Sequence, residues 1–97
     1  MNNNKNKSER FCRICGLDHG EEGVRMSSGM PTFNICECCG TEFGYDDLNN
    51  WSQYRKYWLY ELKCKWMDET YKPANWSLCT QLLNIPEKFK DDWTIHI

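Results

Sequence analysis

The stretch FNICECCGTEFGYDD, residues 33–47, decides the fold because three of the chain's seven cysteines lie there within four positions. Cys36 and Cys39 form a C-x2-C pair, and Cys12 and Cys15 form another in FCRICGLDHG. The two pairs are separated by 20 residues, and a glycine follows each pair directly. We call residues 12–16 the first knuckle and residues 36–40 the second knuckle.

Two such knuckles are typical of a zinc site. A tight turn between paired thiolates lets both sulfurs reach one ion, and the small glycine lets backbone N–H groups point at sulfur. We therefore predict one Zn²⁺ ion, held by Cys12, Cys15, Cys36 and Cys39. Because four cysteine ligands leave no coordination position for water or substrate, the predicted zinc is structural. The pattern does not distinguish zinc from iron.

The other thiols and one histidine are not assigned to the metal. Cys38 lies between two ligands, where a knuckle turns its side chain away from the ion. It is either a small, partly buried residue or a fifth thiol that exchanges onto the metal or responds to oxidants. His19 is either a surface histidine in the polar loop DHGEEG or a substitute ligand. Cys64 and Cys79 fall in predicted helices as small apolar residues.

The 97 residues predict one small domain. Residues 1–9 have no apolar residue after Met1 and predict a disordered arm, residues 10–90 form a single zinc-stapled domain, and residues 91–97 are a tail. No secretory signal or membrane-length apolar run is recognisable, and the number of cysteines is odd. These features favour a reducing, cytoplasmic location without membrane contact.

The predicted fold class is α+β. Glycines and a proline between the knuckles predict short strands in a zinc-ribbon-like element over residues 10–46, with one strand over residues 32–35. A following stretch of some twenty residues without Gly or Pro predicts one long helix, with Asn50 and Gln53 as its capping box. Ser77 is predicted to cap a second, short helix.

The long helix is predicted to carry two faces of different character. One apolar stripe should pack on the ribbon, and it collects Trp51, Tyr54, Trp58, Leu59, Leu62 and Trp66. The opposite face presents Tyr57, Tyr60, Cys64 and Met67. That face is either covered by the C-terminal segment or exposed as a patch of the kind that marks partner surfaces.

The segments FCRICG, FNICECCGTEFGYDD, YRKYW and KPANWSLCTQLLNI, in this order, resemble the CPCC-type family of small bacterial cysteine-rich proteins. The resemblance covers residues 11–85 and implies that the four knuckle cysteines are metal ligands. This chain has Arg13 and Glu37 where the family tends to have proline, so its knuckle turns are less pre-shaped. Members of the family are mostly uncharacterised. Their similarity to gene-cassette products near bacterial toxins is an association rather than a mechanism.

Charge argues against nucleic acid as the partner. Residues 1–50 carry a net charge of −3 and residues 51–97 a net charge of +1. Four thiolates around Zn²⁺ add a further −2. The chain therefore lacks the basic stripe that phosphate binding requires, and a regulatory, nucleic-acid-binding zinc ribbon is the weaker alternative.

An enzyme is less expected still. No catalytic triad order or phosphate loop is present, and the adjacent Asp46 and Asp47 suit loop solvation better than acid–base work. A thiol, redox or metal-dependent activity is the remaining form of this alternative.

The favoured function is a protein-binding module, in its concrete form an immunity or antitoxin protein that blocks a basic toxin or nuclease. Acidic groups in residues 18–22 would steer such a partner. The predicted partner-binding residues are Tyr57, Tyr60, Glu61, Met67, Asp68, Asp46 and Asp47.

Overall fold

The computed structural model describes residues 9–90. The two knuckles lie at the centre, and the helical elements pack around them. Helix α1 consists of an α-helical segment, Trp51–Lys56, followed directly by a π-helical segment, Tyr57–Glu61. Helix α2 is short and spans Leu78–Leu82. Two 3₁₀ turns, Glu69–Tyr71 and Glu87–Phe89, complete the described elements. The predicted arm up to residue 8 and the tail from residue 91 lie outside the described residues.

The α+β prediction is wrong, because residues 9–90 contain no β-strand. The segments around the knuckles make only isolated bridges, the first of which ties Glu9 to Arg25. Glycines in the left-handed region redirect the chain every few residues, so no ladder grows beyond a single pair. The strand expected over residues 32–35 is interrupted at Phe33, whose φ is 62°. The remaining bridges pair Phe11 with Asp18, Arg25 with Pro31, and Ile35 with Glu42.

The two knuckles share one backbone geometry. In each, the glycine N–H donates to the carbonyl of the first cysteine at 2.9 Å. The N–H of that cysteine donates to the carbonyl of the residue after the glycine, also at 2.9 Å. Gly16 and Gly40 have φ angles of 85° and 82°, which glycine adopts without steric cost. The sequence repeat is therefore also a structural repeat.

Helix α1 is shorter than predicted and spans 11 residues. Its hydrogen bonding widens at the end, where the Leu62 N–H donates to the Tyr57 carbonyl at 3.0 Å. Lys63 and Cys64 then adopt φ angles of 54° and 62°, and an α-helix cannot continue through two left-handed residues. The predicted capping box is also wrong, because Asn50 makes no side-chain cap hydrogen bond.

The inner side of α1 packs on the knuckles. Trp58 and Leu59 are buried there, and Trp66 returns to the same core from beyond the helix. Leu62, predicted for this stripe, is 38% exposed. The short helix is confirmed: the Ser77 hydroxyl accepts a hydrogen bond from the Thr80 N–H at 3.3 Å. No helix within residues 9–90 combines the length and the apolar character needed to cross a membrane.

Arg55 connects three parts of the fold. Its side chain is fully buried, and its Nε donates to the Ile14 carbonyl at 2.7 Å. Nη2 donates to the carbonyls of Arg13 and Phe89, both at 2.6 Å. The guanidinium also lies 5.3 Å from the ring centre of Trp51. One side chain thereby joins the first knuckle, α1 and the last described turn.

A buried ion pair joins the loop between the knuckles to the segment that follows the second knuckle. Arg25 Nη1 and Nη2 donate to the two carboxylate oxygens of Asp47 at 3.0 and 2.8 Å. The Gly44 N–H donates to Asp47 Oδ1 at 2.8 Å. Asp47 is 0% exposed, so its predicted place in a partner-binding surface is wrong. Its carboxylate lies inside the domain, where it pairs with the buried guanidinium of Arg25.

Candidate metal centre

The four knuckle sulfurs come together in one buried cluster. The Sγ atoms of Cys12, Cys15, Cys36 and Cys39 all lie within 4.8 Å of one another. The Cys12–Cys39 and Cys15–Cys36 sulfur pairs are each 3.7 Å apart. Sulfurs bound tetrahedrally to zinc at about 2.3 Å are separated by about 3.8 Å. The cluster therefore has the dimensions of a tetrathiolate metal site and not those of disulfides.

Burial sets the acidity of these thiols. It raises the pKa of Cys12, Cys15 and Cys39, because a thiolate is poorly solvated in the core. Burial also acts on Cys36, but hydrogen bonds from the other three cysteines outweigh it and hold its pKa well below the usual value. A divalent cation at the centre offsets the cost of ionising all four.

The donor set fits a metal with no free coordination position. Four soft sulfur ligands in tetrahedral array suit zinc or iron and satisfy the ion completely. The Ile14 N–H also lies 3.4 Å from Cys12 Sγ, a backbone contact of the kind that stabilises thiolate ligands. The residues present can therefore hold one ion, which would supply folding free energy rather than a reactive centre.

Cys38 is part of the packing around the metal centre. Its side chain is fully buried, and Gln81 Nε2 donates to its Sγ at 3.3 Å. The same Nε2 donates to the Cys15 carbonyl at 3.2 Å, while Gln81 Oε1 accepts from Trp76 Nε1 at 2.8 Å. Oxidant-sensing thiols are solvent-accessible, so these contacts favour the structural interpretation of Cys38. They also tie α2 to both knuckles.

The contact between Gly16 and α2 gives a testable prediction. A Cβ added at Gly16 would clash with the Gln81 carbonyl oxygen. Gly16→Ala is therefore expected to destabilise the metal-loaded protein by about 2–3 kcal/mol, measured by urea unfolding, since a backbone clash adds to the left-handed penalty. Gly20→Ala is the matched control: its φ is 67°, but a Cβ there meets nothing within 4 Å. Equal losses in the two variants would contradict the contact.

The predicted partner-binding residues differ in exposure and in whether their side chains make local hydrogen bonds. Tyr57, Tyr60 and Met67 are 51%, 59% and 63% exposed. Glu61 is exposed as well. Asp68 Oδ1 accepts hydrogen bonds from the Thr70 N–H and hydroxyl at 3.1 and 2.6 Å, which starts the first 3₁₀ turn. Asp46 Oδ2 accepts from the Glu42 N–H at 2.9 Å.

Two residues beside the centre go beyond the sequence predictions: Gln81 is not indicated at all, and His19 is left open between a surface histidine and a substitute ligand. His19 is not a surface histidine, since its side chain is only 12% exposed and interacts electrostatically with Cys36. It is also absent from the four-sulfur cluster. Gln81 reaches Cys15 from 66 positions away. Nothing in the local sequence indicates Gln81, whereas the position of His19 four residues after Cys15 is what suggests it as a substitute ligand.

Comparison of the chain with known proteins found no match. No family model, no curated protein and no solved structure matches it.

Proposed function

We propose that this protein is a small structural-zinc module that binds a partner protein through exposed aromatic and methionine side chains. The observation that carries the proposal is the closed, buried cluster of four sulfurs, which has no position at which a substrate could reach the ion. Zinc here would act on folding, because a core this small gains a large share of its stability from a metal staple.

The surface we assign to the partner consists of Tyr57, Tyr60 and Met67, and we call it the tyrosine–methionine surface. The Met67 N–H donates to the Cys38 carbonyl at 2.9 Å, so its position depends on the second knuckle. The Met67 methyl covers Gly40, where an added Cβ would lie 2.7 Å from it. Aromatic and methionine side chains are enriched at protein interfaces.

The charge of the chain favours a basic partner. Its formal net charge is −2 before the thiolates are counted, and a tetrathiolate zinc site adds about −2. Glu61 and Asp68 lie next to the tyrosine–methionine surface in sequence. An inhibitor of a basic bacterial enzyme, of immunity or antitoxin type and acting in the cytoplasm, is the finer form of the proposal. It draws support from this charge and from the resemblance to CPCC-type proteins.

Alanine substitutions in the tyrosine–methionine surface test the proposal. Tagged, metal-loaded protein is used to recover its partner from source cells, and the purified pair is then titrated. Tyr60→Ala is expected to weaken binding by about 30-fold, because a central interface tyrosine contributes about 2 kcal/mol. Tyr45→Ala is the matched control, since Tyr45 is 74% exposed and lies elsewhere in the sequence.

Charge and partner class are tested with the same purified components. Asp68→Asn removes the charge but keeps an oxygen for the Thr70 hydrogen bonds, so it is expected to slow association at low salt without unfolding the turn. If Tyr45→Ala weakens the complex as much as Tyr60→Ala, the assigned surface is wrong. Salt-dependent gel shifts with mixed DNA and RNA, and no recovered protein, would support the nucleic-acid alternative instead.

A further inference from the structure

His19 occupies a position that the fold repeats in the second knuckle. It lies four residues after Cys15, and Phe43 lies four residues after Cys39. The His19 N–H donates to the Arg10 carbonyl and the Phe43 N–H to the Asn34 carbonyl, both at 3.0 Å. The two positions are equivalent in spacing and backbone hydrogen bonding, and the second knuckle fills its position with a phenylalanine. An imidazole in one of them calls for a chemical explanation.

The surroundings of the imidazole point to the metal centre. Its ring packs edge-on against Phe43, with centroids 4.9 Å apart and planes at 83°. Nδ1 lies 3.8 Å from Glu37 Oε1. The side chain also lies within interaction range of Cys36, one of the four clustered cysteines. Phe43 and Glu37 thus hold the ring near a single cysteine of the cluster.

The other ring nitrogen of His19, Nε2, is the atom whose hydrogen bonding needs an explanation. His19 Nε2 is buried and makes no hydrogen bond with any part of the chain that the structure describes. Leaving a buried polar atom unpaired costs about 1–3 kcal/mol. The Cys36 sulfur becomes a strong acceptor when it binds a metal as a thiolate, because it then carries negative charge.

We propose that His19 is a positioning residue of the metal centre, whose Nε2–H donates to the Cys36 thiolate and thereby slows release of the ion. A tetrathiolate around a divalent ion keeps about −2 of charge, and N–H donors to sulfur spread that charge. Cys12 receives such a contact from the Ile14 backbone. His19 supplies the side-chain counterpart for Cys36. This inference rests on the metal site of the proposed function but is independent of its partner.

The first test uses His19→Phe, which installs the residue that the second knuckle already carries at the equivalent position. Zinc content is measured first, and zinc transfer to a chromophoric chelator is then followed. Transfer is expected to be about 10-fold faster than in the wild type, the lower range for loss of a ligand's hydrogen-bond partner. Asp18→Asn, a neighbouring change that keeps the oxygen near the Gly20 N–H, is expected to transfer zinc at the wild-type rate.

A direct readout separates hydrogen bonding from packing. In ¹⁵N-labelled wild-type protein loaded with ¹¹³Cd, we expect a slowly exchanging imidazole N–H of His19 with a small coupling to cadmium across the sulfur. Absence of that signal, or equal zinc transfer by His19→Phe, would overturn the role of His19. A large one-bond coupling would overturn it too, by making His19 a ligand. Wild-type protein that holds no metal would refute the metal site itself.

Discussion

Cys12→Ser is expected to leave the protein without bound metal and without a cooperative unfolding transition. Cys12 is fully buried, and its sulfur is one of the four in the cluster. A structural zinc site contributes on the order of 10–16 kcal/mol, which matches or exceeds the total stability of a small domain, about 5–15 kcal/mol. Elemental analysis of protein purified under reducing conditions, with thermal unfolding followed by tryptophan fluorescence, measures both effects.

The matched control for this loss is Cys79→Ser, because Cys79 is an exposed cysteine outside the cluster. We expect it to keep a full complement of metal and to change stability by no more than about 0.5 kcal/mol. A strong chelator added to the wild type should reproduce the behaviour of Cys12→Ser. A folded Cys12→Ser protein, or a wild type that is indifferent to the chelator, contradicts a structural metal.

The second large effect is expected at the buried ion pair. Asp47→Asn should destabilise the metal-loaded protein by about 3–5 kcal/mol in urea unfolding, because it leaves the Arg25 charge buried without a carboxylate. Arg25 and Asp47 are 4% and 0% exposed, so solvent cannot replace the lost partner. Replacing both residues with apolar ones of similar size should recover much of this loss, since no buried charge then remains.

The exposed pair formed by Arg10 and Asp18 isolates the contribution of burial. Its two N–H···O contacts measure 2.7 and 2.9 Å, and Asp18 also accepts from the Gly20 N–H at 2.8 Å, as Asp47 does from Gly44. The side chains are 51% and 44% exposed. Asp18→Asn is therefore expected to cost less than about 1 kcal/mol. Similar losses at both positions would show that burial is not the cause.

The candidate ligands could be predicted from sequence because each knuckle is local. Two cysteines three positions apart and a following glycine specify one turn, and nothing distant is needed to form it. The helix boundary was predicted wrongly because Lys63 and Cys64 adopt left-handed backbone without being glycine. The expected strands failed for a related reason, since Phe33 takes the same conformation inside the segment expected to be extended.

Residues around the centre escaped prediction because their partners are distant in sequence. In the pair Asp46–Asp47, neither neighbour indicates which carboxylate turns inward, and the answer depends on Arg25, 22 positions earlier. Gln81 likewise acquires its role only when α2 docks on the first knuckle. Local patterns thus identify ligands and caps, whereas long-range packing assigns buried polar groups.

The contacts of Arg55 impose an order on assembly during translation. Both knuckles leave the ribosome before Arg55 does, but Phe89, one of its acceptors, follows 34 residues later. If the four sulfurs bind a metal, the amino-terminal half carries every ligand before the rest of the chain is made. The Arg55 guanidinium gains its last carbonyl acceptor only when the segment containing Phe89 has been synthesised and has packed on it. A nascent chain that ends before Phe89 would therefore contain all four clustered cysteines but would lack one of the carbonyl acceptors of Arg55.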